Sequence, residues 1–186
     1  MRWVLILLLL VSCVSGECRD DPDPLYPVYR SFFHNKCGKT LRWKPNAFPL
    51  TVYVDPNLSV EQYYWTKLAM EEWNERIGKE VFTFPTEAYT RSQEVVYITS
   101  GSVERDYLGT TTLSTQESLE LRHAVVKLRP SLHPAVGALT LVHELGHALG
   151  LKHNMRNQRS VMWPSIGLDG QTITEEDLRG ARMLAH

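Results

Sequence analysis

His143 and His147 stand four residues apart, Gly150 follows three residues later, and His153 three residues after that. No other feature of the chain restricts its fold so closely. A spacing of four puts two imidazoles on one face of a helix, one turn apart. Glycine tolerates positive φ, so Gly150 can end the helix in a sharp turn. The chain after that turn can then bring His153 back to the first two rings. Three neutral imidazoles with one open position are the ligand set of a catalytic zinc ion, not of a closed structural one. Glu144 adjoins the first ligand in sequence but points about a third of a turn away. It is therefore placed to reach a water at the open position without itself binding the metal.

A short segment downstream, Ser160-Val161-Met162-Trp163-Pro164, adds a further mark. Together, His143-Glu144-x-x-His147-x-x-Gly150-x-x-His153 and the methionine that follows resemble the metzincin clan of metalloproteases. Met162 matches the methionine beneath the metal in that clan. The Met-Trp-Pro form and its short distance from His153 resemble the matrixin branch most. Thr174 to Leu184 also resembles the matrixin terminal helix, with Asp177 and Gly180 at matching positions. The chain departs from the matrixin pattern at Asn154, where serine or threonine is usual. Ser165 and Ile166 stand where a pocket tyrosine is common.

The resemblance implies an α+β, zincin-like domain. Its parts would be a twisted mixed sheet of four to five strands, an active-site helix, a backing helix and a C-terminal helix. It implies a metalloendopeptidase with His143, His147 and His153 as zinc ligands. Glu144 would be the general base, and Gly150 and Met162 would support the site. One catalytic Zn2+ is expected; no loop resembling the one that holds structural zinc and calcium ions in animal matrixins is visible. Asp177 reads either as a helix-start charge or as an acceptor under the methionine turn. His34, His123, His133 and His186 have no ligand spacing and read as ordinary histidines.

Local patterns lay out the elements in order. Phe48 to Val54 alternates and reads as a strand. Ser59 followed by Gln62 is a capping box, and Gly78 is a stop. A helix is predicted between them, with Trp65, Leu68, Ala69, Trp73 and Ile77 on one side. Val81 to Phe84 is a short strand, Glu94 to Thr99 a central one, Tyr107 to Leu113 an exposed edge, and Arg122 to Leu128 a fourth. The histidine helix runs from about Ala135 to Leu149. A last helix begins at Thr174, with Glu175, Glu176 and Asp177 in its first turn.

The N-terminus reads differently. Arg2 precedes an apolar run from Trp3 to Val11 that contains four consecutive leucines. Small residues follow at Ser12, Ser15 and Gly16. The run is too short for a membrane span and suits an export signal over residues 1–16. Leu10-Val11-Ser12-Cys13 also resembles a lipobox, with cleavage before Cys13 and a lipid anchor on that thiol. Either way Cys18 and Cys37 remain, and an even pair in an exported domain suggests a disulfide. Lys36-Cys37-Gly38 bears a fainter resemblance to the inhibitory propeptide thiol of latent metalloproteases. Residues 17–47 hold Pro22, Pro24, Pro27 and Pro45 and read as an extended arm, with the peptidase domain over 48–186.

Net charge is -1, so nothing in the charge balance points to a nucleic-acid partner or a strongly charged membrane face. The expected partner is a peptide or protein lying extended along the edge strand near Gly109 to Leu113. The chain is expected to be monomeric and exported, secreted or held at the cell envelope. The alternative is a zinc-containing binding or adhesion module of the envelope without turnover. Glu144 argues against it, because metal binding alone needs no carboxylate at that position.

Overall fold

The computed structural model describes residues 8–12, 32–33, 40–86, 94–104, 106–115, 120–167 and 170–185. Its elements in chain order are β1 (Leu8–Ser12), β2 (Leu50–Val54), α1 (Val60–Ile77), β3 (Phe82–Thr83), β4 (Val95–Ser100), β5 (Gly109–Thr115), β6 (Leu121–Leu128), α2 (Pro134–Leu149) and α3 (Glu175–Leu184). The strands form one mixed sheet in the order β1-β5-β6-β4-β2-β3. Only the β5–β6 pair is antiparallel. The architecture is α+β, with three helices and the five strands β2 to β6 making up the expected frame.

The local signals act as read. Ser59 and Gln62 exchange the reciprocal bonds of a capping box at the start of α1. Gly78 closes it at φ 80°, its N–H donating to Asn74 O and Glu75 O. Just beyond, Asn74 Oδ1 accepts from the N–H groups of Val81 and Phe82, at 2.8 and 2.9 Å. That side chain seats β3 beside the helix end. Trp65, Ala69, Trp73 and Ile77 are buried, but Leu68 is 39% exposed, and Met70 takes the inward place expected of it. A buried stripe wider than one ridge admits residues on both of its flanks, so position 68 fell just outside it.

The sheet differs from expectation at its edge. Leu8–Ser12 lies parallel to β5, from Leu8 opposite Thr110 to Ser12 opposite Ser114. These residues belong to the stretch read as an export signal. The outer backbone groups of β5, expected to be exposed, are thus paired in the full chain. An edge strand invites such pairing, because its N–H and C=O groups lack partners.

The arm is also more than a spacer. Phe32, Phe33, Leu41 and Trp43 are buried in the main core. The N–H of Phe33 donates to Gly150 O at 3.1 Å, and Trp43 Nε1 donates to Ala148 O at 2.7 Å. From the other side Trp73 Nε1 donates to Val142 O at 2.9 Å. Two indoles, one from the arm and one from α1, therefore clamp α2 where its histidines lie. Cys13, Cys18 and Cys37 lie outside the described residues, as do His34 and His186. Among the described residues no helix is long and apolar enough to cross a membrane.

Candidate active site

The helix α2 starts with Pro134 at its first turn and is buried without a break from Thr140 through Leu149. A helix buried on all sides can carry polar side chains only where they meet partners or a site. It ends at Gly150, φ 110°, whose N–H donates to Gly146 O and His147 O. Leu151 N–H donates to Gly146 O at 3.0 Å, completing a Schellman-type closure. That closure reverses the chain and returns His153 to the helix face.

The three imidazoles then form one cluster. Ring centroids are 4.5 Å apart for His143 and His147, 4.7 Å for His147 and His153, and 5.2 Å for His143 and His153. One ligand atom from each ring lies within 4.8 Å of the others. Among the described residues no other group of three His, Cys, Asp or Glu side chains is gathered closely enough to hold a metal ion.

The second nitrogens explain the orientation. His143 Nδ1 lies 2.5 Å from Val161 O, and His147 Nδ1 lies 2.7 Å from Leu151 O. A carbonyl only accepts, so each Nδ1 carries the proton and each Nε2 presents a lone pair. The Nε2 atoms of all three histidines are buried without a hydrogen-bond partner, as is Glu144 Oε1. No other buried side-chain polar atom among the described residues is left so. Buried polar atoms are almost always satisfied, so three orphaned ring nitrogens gathered in one cluster mark a place for a ligand. Three imidazole lone pairs are a donor set that suits Zn2+.

Burial sets the charge state. It pushes His143 down to about 3, with the neighbouring His153 adding to the shift and the Val161 carbonyl opposing it. It pushes His153 down to about 4 and His147 well below the usual imidazole value. Neutral imidazoles are the form a metal needs. Glu144 goes the other way: burial pushes it up to about 8, partly offset by a hydrogen bond from Thr111.

Below the cluster lies the methionine turn. Met162 is buried, and its sulfur packs so closely on Gly146 that a Cβ there would overlap it. Asn154 N–H donates to Met162 O at 2.7 Å, which ties the residue after His153 to the turn. Met162 N–H donates to Ser160 Oγ at 2.9 Å, and that hydroxyl lies 2.8 Å from both carboxylate oxygens of Asp177. Asp177 Oδ2 also accepts from Thr174 N–H and Thr174 Oγ1, at 2.9 and 2.7 Å. Both readings of Asp177 therefore hold together: it caps α3 and supports the turn.

Sequence reasoning missed Thr111, whose hydroxyl meets Glu144, and gave Ser160 no role. A threonine in a threonine-rich strand carries no signal of its own. Ser160 could have been suspected, because a buried hydroxyl two residues before the methionine suits a turn-closing acceptor.

Residues 135–185 match the matrixin family model. That stretch spans the histidine helix, the methionine turn and the last helix. A solved structure similar to the chain is high choriolytic enzyme 1, a hatching enzyme zinc-protease from Oryzias latipes (medaka fish). The two superpose with a TM-score of 0.54 at 13% identity, over 84% of this chain and 98% of that one. At that identity the likeness concerns the fold alone. No curated protein matches the chain in sequence. The matrixin match and the three-histidine cluster support a zinc-dependent peptidase.

Proposed function

We propose that the chain is a zinc-dependent endopeptidase, with His143, His147 and His153 holding the metal and Glu144 acting as general base. The observation that carries this reading is the cluster of three orphaned Nε2 atoms, together with an orphaned carboxylate oxygen on Glu144, the residue next to the first of them in sequence. A binding module has no use for the last of these. Bound to the three imidazoles, Zn2+ would supply Lewis acidity towards water and towards a peptide carbonyl.

The chain's own residues do the rest. His143 and His147 are held in the ligating tautomer by Val161 O and Leu151 O. Glu144 Oε1 accepts the proton of the attacking water, and Glu144 then passes it to the leaving amine. The buried ring of Phe33 lies 5.7 Å from that of His147. The substrate lies extended along β5, adding a strand by main-chain bonds, with side-chain preference set near Pro164 to Ile166. Leu8–Ser12 pairs with that same strand in the full chain, so removal of the leader on export would free it. A secreted or envelope location and a Cys18–Cys37 disulfide belong to the same reading.

The test uses the full chain produced through an export pathway, so that its leader can be removed. Cleavage of a mixed peptide library is measured with zinc, with a chelator, and for Glu144→Ala. Cleavage that is lost on chelation and in the variant supports the proposal. A wild type that retains zinc yet cleaves nothing sinks it.

A further inference from the structure

The strand β5 turns Gly109, Thr111 and Leu113 inward, and the intervening residues are half-buried. Gly109 and Thr111 both meet the side chain of Glu144. Thr111 is fully buried, and its Oγ1 lies 2.5 Å from Glu144 Oε2 and 3.1 Å from Glu144 O. A hydroxyl has one proton to give, and the shorter contact to the carboxyl group is the stronger one. Oε2 is therefore anchored, while Oε1 is buried with no partner. Gly109 adjoins that free oxygen: a Cβ there would stand 3.1 Å from Oε1 and 3.0 Å from Thr140 Cγ2. One face of one strand thus fixes one carboxyl oxygen and leaves room beside the other.

We propose that Thr111 is the positioning residue for Glu144, holding Oε2 so that Oε1 alone faces the reacting groups. This deepens the peptidase reading and rests on it. The terminal torsion of a glutamate is broad, so an unanchored carboxyl group can swivel about its own axis. A hydroxyl donor at one oxygen removes that freedom before substrate arrives. The anchor also crosses from sheet to helix. The strand along which the substrate extends therefore carries, on its inner face, the group that aims the base.

Thr111→Val and Thr111→Ser are compared with wild type on the same peptide mixture, each zinc-loaded and produced through the same export pathway. Valine keeps the shape and removes the donor, and serine keeps the donor. With Thr111→Val, kcat should fall by about 10- to 100-fold, while KM and zinc content stay near wild type. Thr111→Ser should restore most of kcat. Wild-type kcat in Thr111→Val overturns the proposal, and so does a Thr111→Ser variant as impaired as Thr111→Val. A second readout needs neither zinc nor turnover. In chelated protein, urea midpoints are measured for Thr111→Val, Glu144→Ala and the double variant. If Thr111 acts through Glu144, adding Thr111→Val to Glu144→Ala shifts the midpoint far less than it does in wild type. Additive shifts overturn the proposal. A wild type that holds zinc but cleaves nothing fails the peptidase reading alone, and the midpoint comparison still decides the contact.

Discussion

Removing the metal and lowering the pH should unfold this protein by a calculable amount. The three clustered imidazoles have folded-state pKa values near 3 and 4 for His143 and His153, and well below the usual value for His147. In the unfolded chain each takes up a proton near pH 6.5. A depressed histidine therefore favours the unfolded state increasingly as pH falls below 6.5. Glu144 opposes them, because its folded pKa of about 8 is raised. On acidification the folded chain takes that proton first, and the unfolded chain follows only near 4.5. The two effects nearly cancel at pH 7, and by pH 5 unfolding takes up about two protons net, at roughly 1.4 kcal/mol per proton per pH unit. Integrated from pH 7 to pH 5, the histidines remove about 6 kcal/mol and Glu144 returns about 3. The net loss of about 3 kcal/mol is a large part of the stability of an ordinary domain.

Urea unfolding of chelated protein at pH 7, 6 and 5 reads this directly. The midpoint should fall by roughly 1 to 3 M over that range. Glu144→Gln removes the opposing proton, so its loss should approach about 6 kcal/mol. Other titrating groups are common to both proteins and cancel in the comparison. A midpoint that holds steady or rises on acidification would refute the reasoning, since it requires imidazoles that protonate freely in the folded, metal-free chain.

Gly146→Ala sets two effects against each other. Alanine favours a helix by about 1 kcal/mol, but its Cβ would overlap Met162 Sδ and lie 3.0 Å from Trp73 Cζ2, and overpacking costs about 1–3 kcal/mol. A thermal melt should show net destabilisation, eased when Met162→Ala is added. Gly150→Ala forces a side chain onto φ 110°, so it should destabilise by more than about 1 kcal/mol; weaker zinc retention against a competing chelator would show that His153 has moved. Asp177→Ala removes the partner of Ser160 Oγ and the N3 half of the capping box whose N-cap is Thr174, and urea unfolding should show a loss of about 2–3 kcal/mol.

What could be read from sequence was local. Ser59 with Gln62, Gly78, Thr174 with Asp177, and Gly150 each fix a helix end through bonds within a few residues, so they name their own structure. The two helix histidines belong to the same class, because four residues of helix leave no freedom in their spacing. Contacts that join distant segments had no such signature. Thr111 meets Glu144 across 33 residues, and Trp43 reaches Ala148 across 105. The arm looked extended because its prolines break periodicity. Its buried Phe32, Leu41 and Trp43 are spaced irregularly, as residues of a non-repeating segment must be. The pairing of Leu8–Ser12 with β5 depends on which strand the sheet leaves open, and no window of sequence contains that information.

The acceptors that orient His143 and His147 are main-chain carbonyls, those of Val161 and Leu151. No point substitution can delete a carbonyl. Side chains at 151 and 161 are held to apolar types by their burial in the core, but any that keeps the backbone path leaves the two rings with their tautomer and aim. The heritable weak points of the site lie instead in what shapes that path: Gly150, Ser160 and Asp177. A substitution at any of the three would misdirect the rings while leaving every ligand in place.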